Sequence, residues 1–138
     1  MRHSTTCFTL WLLVAIAAAG CSSDSTTDTP TEPTPVLVTE SFSGSLTVNG
    51  GQTHAFAVSR AGTVTAQIKT LSDQAATIGL SLGTWNGAAC QIVIANDAAL
   101  VTQAVTGTAQ ATGQFCVRLY DVGKLTEAVD YSVEVSHY

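Results

Sequence analysis

Few residues in this 138-residue chain could carry out chemistry. Gly79-Leu80-Ser81-Leu82-Gly83 spells the G-x-S-x-G pattern, in which a serine nucleophile stands on a sharp strand-to-helix turn. Such a serine needs a base, a group that orients the base, and an oxyanion hole. Here the apolar alternation of Ile78, Leu80 and Leu82 runs straight through the serine, and Thr84-Trp85-Asn86-Gly87 follows as a turn rather than a helix. Ser81 is therefore expected on the exposed side of a strand. His54 and His137 are the remaining candidate bases, and no spacing supplies either with an orienting partner. His54 shares parity with Phe56 and Val58, which places it at a half-buried rim.

Metal chemistry has no better footing. Two histidines and scattered acids do not form a zinc-binding pattern. Asp121, Glu127 and Asp130 flank one long connection and Asn96-Asp97 another, without the spacing of a calcium loop, which needs roughly six to eight converging oxygens. Asp121 is suited instead to accepting turn hydrogen bonds around Gly123. No catalytic residue, metal or cofactor is expected.

The aromatic residues offer binding rather than catalysis. Trp85 shares strand parity with Gly83, Ser81 and Gly79, a face of small residues. Its ring can fold across the glycines as packing, or stay open beside Asn86 as a stacking platform for a sugar. Tyr120, on the parity of Arg118, is the second aromatic of such a platform. Trp85, Asn86 and Tyr120 are thus the candidate ligand-binding residues. The net charge of -5 and the lack of a basic stripe remove the electrostatic basis for a nucleic-acid partner.

The elements that hold these residues begin after a leader. Arg2 and His3 precede Phe8 to Ala19, an apolar run relieved only by Thr9. A run of about 12 residues is too short to cross roughly 30 Å of hydrocarbon, but it fits a secretion signal. Ala18-Ala19-Gly20-Cys21 resembles the lipobox of bacterial lipoproteins, with Ala18 where the pattern usually has leucine. The resemblance implies cleavage after residue 20, lipidation of Cys21 and attachment to a membrane. Ser22 in place of aspartate implies the outer membrane by the same resemblance. Residues 21–36 then form a Thr/Pro-rich tether, which cannot bury enough apolar area to order itself. Of the four cysteines, Cys7 leaves with the leader and Cys21 carries lipid. Cys90 and Cys116 remain, and in an oxidising envelope compartment they are expected to pair, a metal site or two free thiols being the alternatives.

Residues 37–138 show period-two alternation. Phe42, Leu46 and Val48 share one parity; Val64, Ala66 and Ile68 another; Phe115, Val117 and Leu119, then Tyr131, Val133 and Val135, follow suit. Asn49-Gly50-Gly51 reads as a hairpin turn between the first two strands. Further strands are expected at Gln91 to Ala95, Leu100 to Thr106, Gln114 to Asp121 and Val129 to Ser136. About eight short strands with half-apolar faces describe an all-β antiparallel sandwich. The stretches "SFSGSLTVNGGQTHAFAVSRAGTVTAQI", "IGLSLGTWNGAAC" and "GQFCVRLYDVGKLTEAVDYSVEVSHY" resemble the bacterial pre-peptidase C-terminal domain, over roughly Glu40 to Tyr138. That resemblance implies a jelly-roll-like sandwich with an accessory role and no catalytic residues. The expected protein is a non-enzymatic, lipid-anchored envelope component whose sandwich is an accessory structural or binding module, with a polysaccharide or an envelope protein as the candidate partner. A polysaccharide-binding module is the alternative, and a hydrolase a distant third.

Overall fold

The computed structural model describes residues 33–138. The leader, Cys21 and most of the tether lie outside the described residues. Eight strands follow in order: β1 (Val38–Leu46), β2 (Gly51–Val58), β3 (Gly62–Leu71), β4 (Ile78–Trp85), β5 (Cys90–Ala99), β6 (Ala104–Ala109), β7 (Gly113–Tyr120) and β8 (Val129–His137). They form two four-stranded antiparallel sheets, ordered β1-β8-β3-β6 and β2-β7-β4-β5. This is the strand order of a jelly roll.

Burial follows the alternation. In β8 every second residue, from Val129 to His137, is buried, and Phe56 and Val58 of β2 share the inner face of their sheet with Val117 and Leu119 of the neighbouring β7. Leu46, Ile68, Ile78, Leu80, Val133 and Val135 are fully enclosed. A two-layer sandwich rests on this one-sided apolar patterning, worth about 25 cal/mol for each Å² of apolar surface removed from water.

Two expectations need correcting. The Thr47–Gly50 turn exists: the Gly50 amide donates to the Thr47 carbonyl at 2.8 Å and Asn49 takes a positive φ of 54°. It does not join a hairpin, because β1 pairs with β8 and β2 with β7. The turn is a corner that carries the chain from one sheet to the other, and local turn chemistry cannot tell the two apart. The strand expected from Leu100 is also displaced. β5 runs on to Ala99, Leu100 to Gln103 turn with Thr102 at φ 71°, and β6 starts at Ala104.

Candidate functional site

The sandwich has two long seams where sheet edges face each other, and they are finished differently. Along the β1/β2 seam, rings close the gap. His54 of β2 stacks on Phe42 of β1 with centroids 4.9 Å apart, and its Nε2 lies 2.7 Å from the Tyr131 hydroxyl of β8. Burial lowers the pKa of His54 and raises that of Tyr131, so a neutral imidazole and a neutral hydroxyl share this hydrogen bond. Beside this pair, His137 stacks on Phe56 at 5.3 Å and its Nε2 donates to Glu40 Oε1 at 2.9 Å. Both histidines therefore have partners, 77 and 97 positions away in sequence. No local spacing could have signalled them.

The β5/β6 seam stays open. A cleft of about 350 Å³ enters between the sheets there, floored by Val64, Leu82, Ala109 and Phe115 and bordered by Val93 and Ile94. Its volume lies within the range of ligand pockets. No charged side chain lines it, and its polar groups are neutral threonines and glutamines such as Thr84 and Gln110. Val93 is 76% exposed at the mouth, and its neighbours Ile92 and Ile94 are 48% and 40% exposed. The register of β5 on β4 slips twice, once at Val93, where Leu82 pairs with Ile94 but Gly83 pairs with Ile92. Sequence reading passed over this site because it belongs to two sheet edges that meet only in the fold.

The outer face of the β2-β7-β4-β5 sheet carries the aromatic candidates. Gly79, Ser81 and Gly83 lie opposite Tyr120, Arg118 and Cys116, so all six share that face. The expectation for Ser81 fails: it is fully buried, and its Oγ donates to the Arg118 carbonyl at 3.2 Å. Other parts of the chain cover this face of β4. The Tyr120 ring lies over Gly79, where an added Cβ would stand 2.3 Å from it. The Gln91 carbonyl sits over Gly83, and an added Cβ there would be 2.1 Å away. Tyr120, rather than Trp85, thus folds across Gly79, and backbone rather than a ring covers Gly83. Its hydroxyl donates to Asp97 Oδ1, and Arg118 sits 5.9 Å from its ring centroid. Burial first, and then the Asp97 carboxylate, push the Tyr120 pKa up to about 12.

Trp85 is half-buried at the far end of β4, six positions from the residue opposite Tyr120. At about 3.3 Å per residue that separation is roughly 20 Å, so the two rings do not form one platform for a single sugar. Asn86 is occupied in its own turn, its Oδ1 accepting from the Ala88 and Ala89 amides at 2.9 and 2.8 Å. Cys90, the first residue of β5, is bonded to Cys116 of β7, which ties the edge strand across the sheet. Such a bond belongs to an oxidising, extracytoplasmic compartment.

The acids also serve the fold. Asp121 accepts backbone N–H bonds from Asn49 at Oδ2 and from Gly123, Lys124 and Leu125 at Oδ1. These donors, that of Asn49 foremost, hold its pKa below the usual carboxylate value. Among the described residues, no group of three or more His, Cys, Asp or Glu side chains is arranged to hold a metal ion.

No family model matches the chain, and no curated protein does. Solved structures share its fold, among them the following two. A mitogen derived from Yersinia pseudotuberculosis superposes with a TM-score of 0.58 at 14% identity, over 75% of this chain and 88% of the mitogen. A periplasmic inhibitor of g-type lysozyme from Aeromonas hydrophila superposes with a TM-score of 0.52 at 19% identity, over 71% of this chain and 84% of the inhibitor. At such identity the likeness shows the fold alone.

Proposed function

We propose that this chain is a non-enzymatic, lipid-anchored binding module of the cell envelope, which meets a protein partner at the β5 edge and its cleft. One observation carries this proposal: the cleft of about 350 Å³ at this edge is mainly apolar, has no titratable side chain in its lining, and is bordered by exposed Val93. Such a surface recognises, and has no group with which to move a proton. The resemblance of Ala18 to Cys21 to a lipobox, and of the domain to the pre-peptidase C-terminal type, supports an accessory envelope role. The fold is also that of a mitogen and of a lysozyme inhibitor, both named for acting on other molecules rather than for catalysis.

A photo-crosslinking amino acid at Val93 tests the contact surface in intact cells, with the same group at Thr63, exposed on the outer face of β3, as the control. Adducts at Val93 and none at Thr63 are expected, and equal labelling at both would remove the proposal. Cys21→Ser should move the protein from the membrane fraction to the soluble one, and retention on the membrane would refute the anchor. Inhibition of a g-type lysozyme by the purified chain is a direct assay for one partner class.

A second reading, a polysaccharide-binding module, is favoured by Trp85 and Tyr120 lying on one sheet face. Their separation fits a polymer spanning several sugars better than a single ring. Glycan-array binding that weakens separately with Trp85→Ala and Tyr120→Ala would establish it.

A further inference from the structure

We infer that the partner seated on the β5 edge is a second copy of this chain, related by a two-fold axis passing close to Val93. This rests on the reading above, that the β5 edge is the contact surface. Charge disfavours self-association in general and leaves the β5 edge without that repulsion. Residues 33–138 hold seven acids against four bases, so two copies repel each other in general. From Cys90 to Asn96, however, β5 has no charged residue over seven positions, about 23 Å of strand. Apolar exposure is concentrated in the same place. Of the eight large apolar side chains exposed among the described residues, Ile92, Val93, Ile94 and Leu100 lie on β5 or directly after it.

Knob and hole are neighbours on this edge. Val93 projects at the mouth of the cleft, whose floor is apolar. A two-fold axis makes such a patch self-complementary, each copy seating its valine at the other's cleft. Edge strands are ordinarily protected by lysine or proline, and β5 has neither. The two register slips limit a regular ladder between copies, so side chains lead the contact.

Sedimentation equilibrium of the full chain carrying Cys21→Ser, so that no acyl chain contributes, tests the inference. A dimer is expected at micromolar concentration. Val93→Lys and Thr84→Lys, both at exposed positions on the cleft, should each weaken self-association at least tenfold with unchanged circular dichroism. A monomer at every concentration, or a dimer that both variants leave intact, overturns it. The photo-adducts at Val93 keep the two ideas separate. Adducts joining two copies support both. Adducts to a different protein from a chain that sediments as a monomer leave the binding module standing and remove the dimer.

Discussion

The imidazole Nε2 of His54 and the hydroxyl of Tyr131 lie 2.7 Å apart and belong to different sheets, so one hydrogen bond ties the two layers at the β1/β2 seam. The bond forms with a neutral histidine, and the Phe42 ring packed against the imidazole keeps water from one of its faces.

Acid should therefore loosen the domain. The folded pKa of His54 lies below its ordinary value of 6.5, so the unfolded chain binds the proton more readily than the folded one. Stability rises with pH through that window, and it is lost as pH falls below about 6.5 toward the folded value. Glu40 and the His137 ring are the other titratable groups beside this seam, and their pair shares it. Urea midpoints between pH 7.5 and 5 should fall for the wild type and fall less for His54→Gln, which keeps a hydrogen-bonding group without the titration. Tyr131→Phe should cost about 1 kcal/mol at neutral pH, the net worth of one such bond. An identical pH slope in wild type and His54→Gln would refute the assignment.

Two glycines of β4 should respond to alanine to different degrees. At Gly79 the obstacle is the Tyr120 ring, the end of a side chain that can swing away. At Gly83 it is the backbone carbonyl of Gln91, which cannot. Gly79→Ala is expected to cost about 1–3 kcal/mol and to be largely rescued by Tyr120→Ala in a double-mutant cycle. Gly83→Ala should cost more and gain nothing from Tyr120→Ala. Thermal melts of the three single and two double variants decide it.

Strand positions and core faces were legible because burial of alternate residues is a local signal, plain in Phe115, Val117 and Leu119 or in Tyr131, Val133 and Val135. Pairing was not legible. Thr47 to Gly50 has the chemistry of a hairpin turn, yet the partners of its flanking strands lie in β8 and β7, remote in sequence. Ser81 shows the same limit from the other side. Its parity does put it on the outer face, but its burial between Arg118 of β7 and Ala95 of β5 depends on strands brought together by the fold. The cleft was invisible for a related reason: apolar β5 residues look like core in any sequence, and only the fold leaves them at an edge. The pairing of Cys90 with Cys116 was expected, being the one combination left in the folded part.

Loss of that disulfide should act on the β5 edge before it acts on the core. The bond closes a loop with a sequence separation of 26 and holds the first residue of edge strand β5. In the chain-entropy view a loop of this size contributes about 3.5 kcal/mol. Cys90→Ser with Cys116→Ser should lower the melting temperature accordingly. Hydrogen exchange should quicken first in Gln91 to Ile94, because an edge strand has a ladder on one side only. Uniform quickening across both sheets would show that β5 is not separately held.

Asp121 should govern stability at still lower pH. Its carboxylate accepts four backbone N–H bonds, one of them from Asn49, and so joins the β1–β2 corner to the loop after β7. The folded pKa is depressed, so this contribution is present above the ordinary carboxylate value of 3.8 and disappears as pH falls through the folded pKa. Asp121→Ala should lower the melting temperature at pH 7 and flatten the acid limb of the stability curve. Asp121→Asn, which keeps one acceptor oxygen, should fall between wild type and alanine. Because Asn49 holds a positive φ, Asn49→Gly should be tolerated while Asn49→Val is not. If Asp121→Ala melts like the wild type at pH 7, the four short contacts do not hold the corner, and its geometry must come from the turn at Thr47 to Gly50 and the backbone bond from the Asp121 amide to the Gly50 carbonyl.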